Sequence, residues 1–155
     1  MEGGCACGEV RYRLMSAPMF VNCCHCTSCQ TETGSAFVVN AMIEADQVAL
    51  LNGAPEPVVT PSESGKGQTV WRCPSCRVAL WSNYAGAGPG VNFVRVGTLD
   101  DSAACPPDAH IFTRSKLPWV VLPEGTPAFE IFYDPATQWS ETTKARMEAA
   151  RGRPA

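Results

Sequence analysis

Polar and apolar side chains alternate over residues 9–14, with Glu9, Arg11 and Arg13 set against Val10, Tyr12 and Leu14. A period of two sends alternate side chains to opposite faces, so this stretch predicts a strand with one buried face. The apolar segment 36–43 predicts a buried strand, and the polar run 30–33 before it predicts a helical turn ended by Gly34. A short strand over 47–51 runs into Asn52-Gly53, the dipeptide of a tight hairpin turn. The polar stretch 62–68 joins two further β-like segments, the second at 69–72. Strands are also predicted from Val78 to Tyr84 and from Val91 to Leu99, followed by an irregular loop over 100–108 and a proline-punctuated segment from His110 to Pro127. Only Gln138 to Arg151, with its Ala, Glu, Lys and Arg content, predicts a helix of any length.

Composition agrees with this segmentation. Thirteen prolines and thirteen glycines spread over 155 residues break the chain into short pieces, which favours a mainly β fold over a helical bundle. The expected organisation is one β domain over residues 1–135 and a helical tail over 136–155. A formal net charge of −3 with no Lys/Arg run argues against a nucleic-acid partner, and no stretch approaches the ~20 apolar residues of a membrane span. Met-Glu-Gly-Gly-Cys lacks the basic and apolar regions of an export signal, so a cytoplasmic location is expected. In a reducing compartment the nine cysteines are not expected to form lasting disulfides, and metal binding becomes their leading explanation.

Cys5-Ala6-Cys7 and Cys73-Pro74-Ser75-Cys76 offer two close pairs of thiolates, and each pair can span adjacent corners of a tetrahedron around Zn²⁺. Together they predict a closed, structural four-sulfur site; the bland alternative for Cys5 and Cys7 is that they are small buried residues. Cys24, Cys26 and Cys29, at C-x-C-x-x-C spacing, supply three more sulfurs, the number that leaves a zinc ion one exchangeable position. A distant fourth donor would instead make this a second structural site. Cys23 and Cys24, neighbours in extended backbone, point to opposite faces and should not share one metal, and His25 has the same directional problem. His25 is therefore expected at the turn or supporting the site, while Cys23 has no assigned role and Cys105 is an incidental loop thiol. The scattered tryptophans Trp71, Trp81, Trp119 and Trp139 are expected in the core.

Three sulfur anions outweigh the charge of Zn²⁺, so such a centre should acidify bound water poorly. It is better suited to taking up an external thiol as its thiolate and directing it at a small electrophile such as an aldehyde.

At this point the chain resembles the glutathione-dependent formaldehyde-activating enzyme family, which includes centromere protein V. The resemblance rests on Gly3-Gly4-Cys5-Ala6-Cys7-Gly8, Cys24-His25-Cys26-Thr27-Ser28-Cys29, Gly34-Ser35-Ala36-Phe37, and the Cys73-to-Cys76 knuckle with Leu80-Trp81. It continues through His110-Ile111-Phe112, Ser115-Lys116-Leu117-Pro118-Trp119 and Pro127-Ala128-Phe129, covering about residues 3–130. It implies a β-tent fold of short antiparallel sheets tied by zinc. It also implies two zinc ions per chain, a structural one on Cys5, Cys7, Cys73 and Cys76 and a catalytic one on Cys24, Cys26 and Cys29. The reaction it implies joins glutathione to formaldehyde, giving S-hydroxymethylglutathione, a carbon-sulfur lyase activity. Two positions depart from the family pattern. Gln30 stands where many members carry a basic residue, and Arg77 stands where a glycine is usual; a glycine there would relieve a left-handed backbone, so Arg77 either strains the knuckle or marks a different turn. Arg72, Arg77, Arg114 and Lys116 are candidates to replace the missing cation at a thiol's carboxylate, or else solvated surface charges.

The leading expectation is thus an enzyme that adds a small thiol, glutathione or similar, to formaldehyde or a related carbonyl compound. The alternatives are a zinc-stabilised protein-interaction module without catalysis, and redox sensing with Cys23 as a resolving thiol.

Overall fold

The computed structural model describes residues 1–153. Along the chain run β1 (Glu2–Gly4), β2 (Arg11–Leu14), β3 (Phe20–Cys24), α1 (Thr27–Thr33), β4 (Val38–Glu44), β5 (Val48–Asn52), β6 (Glu56–Thr60), β7 (Gln68–Arg72), β8 (Ala79–Tyr84), β9 (Val91–Arg95), β10 (Ala109–Ile111), α2 (Pro135–Gln138) and α3 (Glu141–Arg151). Among the described residues the ten strands form two sheets, one ordered β1-β2-β5 and the other β10-β3-β4-β9-β8-β7-β6. All pairings are antiparallel except that of β10 with β3. The architecture is mainly β with a short C-terminal helix, as the segmentation predicts. Among the described residues no helix is long and apolar enough to cross a membrane.

The alternation at the start of the chain does what its period requires. Val10, Tyr12 and Leu14 are buried in one core, where the ring of Tyr12 meets Trp81 edge-on and its hydroxyl lies 2.7 Å from Thr98 Oγ1. This core also takes in Cys5, Cys73, Leu80 and Val94. A second core gathers Cys24, Cys26, Cys29, Met42, Ile111, Tyr133, Trp139 and Met147. Strands β4 and β9 lie between their neighbours in the larger sheet and are buried on both faces, so their side chains do not alternate.

Three local expectations are corrected. Asn52-Gly53 does not close a hairpin, because β5 pairs with β2 whereas β6 pairs with β7 in the other sheet. The glycine requirement is real: Gly53 has φ 63°, and a Cβ there would collide with the Glu9 carbonyl oxygen. It serves a crossing between sheets. The strand from Val91 stops at Arg95, after which Val96–Thr98 form a 3₁₀ turn. The long helix begins at Glu141, where Ser140 caps it by accepting from Thr143 N–H at 3.1 Å. It docks on the second core through Met147 and Ala150, with Thr143 Oγ1 donating to Met19 O at 3.0 Å and Arg146 gripping both oxygens of Glu44 at 2.8 and 2.6 Å. The tail expected over 136–155 includes residues 154 and 155, which lie outside the described residues.

Candidate metal centre and its pocket

Cys5 and Cys7 follow β1, and Cys73 and Cys76 occupy the turn between β7 and β8. The fold brings these two distant segments together: Cys7 Sγ lies 3.4 Å from Cys5 Sγ and 3.7 Å from Cys73 Sγ, and all four sulfurs fall within 4.8 Å of one another. An edge of a tetrahedron built on Zn–S bonds of ~2.3 Å is ~3.8 Å, so the four atoms fit the corners of such a site. Backbone N–H groups are already turned toward it, with Val10 donating to Cys5 Sγ at 3.3 Å. Hydrogen bonds also favour the thiolate of Cys76, lowered to about 6, led by those from the Val78 and Cys7 backbone. Arg77 N–H donates to Cys73 O at 3.1 Å and Cys73 N–H to Val78 O at 3.0 Å, and the chain reverses through Arg77, which is left-handed at φ 62°. The turn keeps the shape a glycine would give it, at the cost of strain in a residue with a side chain.

Cys24, Cys26 and Cys29 form the second group, their sulfurs also within 4.8 Å. All three are buried. Cys24 ends β3, Cys26 caps α1 with its sulfur accepting from Cys29 N–H at 3.3 Å, and Cys29 lies in the first turn. Gly34, at φ 64°, ends the helix as the sequence predicts. Hydrogen bonds from the Cys24 and Cys29 thiols, joined by the Cys29 and Ser28 backbone, pull Cys26 down to about 3 against the effect of burial. Cys24 is pushed far up, first by the sulfur of Cys26, then by that of Cys29 and by burial. For Cys29 the Cys24 thiol favours the anion, but Cys26 and burial outweigh it and raise Cys29 to about 12. Three sulfurs this close cannot all be anionic without a cation among them, and the donor set suits a thiophilic one.

Helix α1 is held to the large sheet by Glu32. Its carboxylate bridges Arg95, at 2.9 Å, and Arg72, at 2.5 Å; Arg95 also bonds Asn40 and, at 2.8 Å, Ser82. Arg95 and Glu32 are both nearly fully buried.

Cys23 and Cys24 do point apart. Cys23 joins His25 and His110 in a third buried group, with Cys23 Sγ 3.6 Å from His25 Nε2 and the two imidazoles linked at 3.0 Å from His25 Nε2 to His110 Nδ1. Burial, reinforced by His110 and Lys116, lowers His25 to about 4, and burial lowers His110 as well, which favours the neutral form of each imidazole. Gln30 braces the β3–α1 turn, donating to His25 O at 2.8 Å and Ser115 O at 2.9 Å. Cys105 is buried in the first core. Trp119, expected inside, is 69% exposed.

The cysteine trio opens on a cavity of about 390 Å³. Its wall is largely apolar, with Met42, Phe93, Ile111, Phe112, Phe132, Trp139 and Met147 among its side chains, and its polar part comes mainly from Ser62 to Gln68. A larger and more open groove of about 680 Å³, passing Arg72, Arg77 and Cys105, touches none of the trio. The cations proposed from sequence to meet a thiol's carboxylate are engaged elsewhere. Arg72 pairs with Glu32, Arg77 with Glu56 and Arg114 with Glu63, while Lys116 Nζ donates to Leu117 O and Val120 O. Among the described residues the charged groups lining the cavity are Glu63, Lys66 and Arg151. Sequence reasoning passed over Lys66 and Arg151, and read Trp139 only as core. Trp139 and Met147, two large apolar side chains in an otherwise polar stretch, were the available signal.

A family model described as glutathione-dependent formaldehyde-activating enzyme matches residues 1–115. A Halomonas elongata protein named as a candidate glutathione-dependent formaldehyde-activating enzyme is 28% identical over 129 residues, covering 79% of this chain and 80% of its own length. Among solved structures, the crystal structure of a Rhodobacter sphaeroides protein aligns with a TM-score of 0.50 at 17% identity, covering 83% of this chain and 99% of that one. At that identity the likeness concerns the fold alone.

Proposed function

The chain belongs to the glutathione-dependent formaldehyde-activating enzyme family, and on that premise we propose that it is a zinc enzyme adding glutathione or a similar small thiol to formaldehyde or a related aldehyde. In this reading Cys5, Cys7, Cys73 and Cys76 hold a structural zinc, and Cys24, Cys26 and Cys29 hold a catalytic one. The single observation that carries it is the contrast between the two groups: four sulfurs where two distant segments are tied, but three where a cavity begins. Zinc on three sulfurs would keep a position for a fourth and would favour the anionic form of a thiol placed there.

The rest falls to the protein's own side chains. The cavity supplies cations at Lys66 and Arg151, opposite in sign to the two carboxylates of glutathione, while its Glu63 is already paired with Arg114 at 3.0 Å. The thiol gives up its proton, its sulfur donates an electron pair to the carbonyl carbon, and the π pair of the C=O bond moves onto oxygen, which takes up a proton. One S–C bond forms and the carbonyl becomes a hydroxyl. Run backward, the same step breaks the C–S bond, which is the lyase direction.

Exchange spectroscopy on glutathione and formaldehyde tests the reading. Zinc-loaded wild type should speed interconversion of free glutathione and S-hydroxymethylglutathione beyond the uncatalysed rate, and Cys26→Ser should not. A wild-type rate equal to the uncatalysed one would sink the formaldehyde assignment.

A further inference from the structure

Formaldehyde carries two hydrogens on its carbonyl carbon and can use almost nothing of the wall beside the trio. A pocket of this size is expected to be filled by substrate or by water, and water gains little from Phe112, Phe132 or Trp139. Part of that wall lies beyond the residues the family model matches: the match ends at residue 115, and Phe132, Pro135, Trp139 and Met147 all line the cavity. The C-terminal segment that carries them is firmly seated. Ser140 caps α3, Arg146 holds Glu44, and Trp139 Nε1 donates to Tyr133 Oη at 3.0 Å. The C-terminal segment therefore gives the cysteine trio a seated apolar wall.

A second observation also points to a ligand. The cavity lining includes Asn22 and Gln68, both more than nine-tenths buried, and each keeps an amide oxygen with no hydrogen-bond partner among the described residues. Neither oxygen is itself exposed to the cavity, so the hydroxyl of an addition product would reach it through an intervening water or a small turn of the amide.

Resting on the reaction read above, we propose that the aldehyde this protein uses carries an apolar, preferably aromatic, substituent, seated against Phe112, Phe132, Trp139 and Met147. The polar residues from Ser62 to Gln68 are left to the thiol's own body. The step is the addition already balanced above. The thiol sulfur bonds the carbonyl carbon, the oxygen gains a proton, and the substituent stays on carbon throughout.

Two measurements on the zinc-loaded full chain separate the pocket from the reaction. In calorimetric titration, S-(2-phenylethyl)glutathione should bind at least tenfold more tightly than S-methylglutathione. The half-exposed Phe132→Ala should cut that preference at least threefold, and Met147→Trp, which fills the pocket, should abolish it. By exchange spectroscopy with glutathione, the acceleration over the uncatalysed rate should be at least tenfold greater for phenylacetaldehyde than for formaldehyde. Equal binding of the two thioethers, or acceleration of both aldehydes above the uncatalysed rate by the same factor, overturns the proposal. A binding preference with neither aldehyde accelerated overturns the reaction instead, and with it the identity of the ligand as an aldehyde, while supporting an apolar-ligand pocket.

Discussion

Arg77 holds a left-handed backbone in the turn between Cys73 and Val78, a conformation that costs a residue with a Cβ about 1–2 kcal/mol. Glycine would avoid that cost but lose more entropy on folding. Arg77→Gly should leave stability within about 1 kcal/mol of wild type, whereas Arg77→Val, branched at Cβ, should lose more than about 1 kcal/mol. Denaturant unfolding of the metal-loaded protein reads both. Gln30 answers a different question at the same scale. Its amide is spent on the carbonyls of His25 and Ser115, so it acts as a brace. Gln30→Ala should cost about 1–2 kcal/mol in unfolding free energy, the size of two lost buried hydrogen bonds. A large rise in glutathione KM with unchanged stability would contradict that role. The departure at Arg77 was legible in the sequence, its strained left-handed backbone only as one of two alternatives. The role of Gln30 was not, because its partners lie five and eighty-five residues away.

Two elements are pinned by ion pairs that the chain does not reveal when read in order. Glu32 fastens α1, and with it Cys29, to the sheet through the buried Arg95. Removing the carboxylate charge strands a buried guanidinium, so Glu32→Gln should lower stability by about 3 kcal/mol. Thermal unfolding is the direct measure, with loss of metal from the trio as the local one. Helix α3 is pinned by Glu44 and Arg146, and the Arg146 guanidinium holds the Glu44 carboxyl below its ordinary range against the opposing effect of burial. The native carboxyl thus binds a proton less readily than the unfolded one. Its contribution is full above the unfolded value of about 4.3 and fades as pH falls through the depressed native value. The stability difference between wild type and Glu44→Gln should accordingly shrink between pH 6 and pH 3. Comparing the two proteins cancels whatever acid does to the cysteines in both. A difference that stays constant with pH would show that the pair does not anchor the helix.

For the molecule as a whole, the four-sulfur group spans sixty-six residues between Cys7 and Cys73, while the trio lies within six. A metal tie across the longer loop constrains far more of the unfolded chain. Chelation should lower the melting temperature by at least about 10 °C, and Cys73→Ser should resemble the chelated protein. Cys29→Ser should melt closer to wild type. If it melted with Cys73→Ser, the trio would be a second structural site and the division between the two groups would fail.

By itself the sequence determined what depends on neighbours along the chain: the period-two strand at Val10 to Leu14, the cap at Gly34, the left-handed need at Gly53, and the sulfur spacing within each close group. Those features follow from local backbone geometry and ligand bite, which a few adjacent residues settle. Only the tertiary structure decided what depends on distant segments meeting. Asn52-Gly53 crosses between sheets because β5 and β6 find different partners. Arg72, Arg77 and Arg114 are taken up by carboxylates far along the chain. Trp139 and Met147, part of a helical tail when read in order, form a wall beside the cysteine trio, because burying these apolar side chains outweighed leaving them in water.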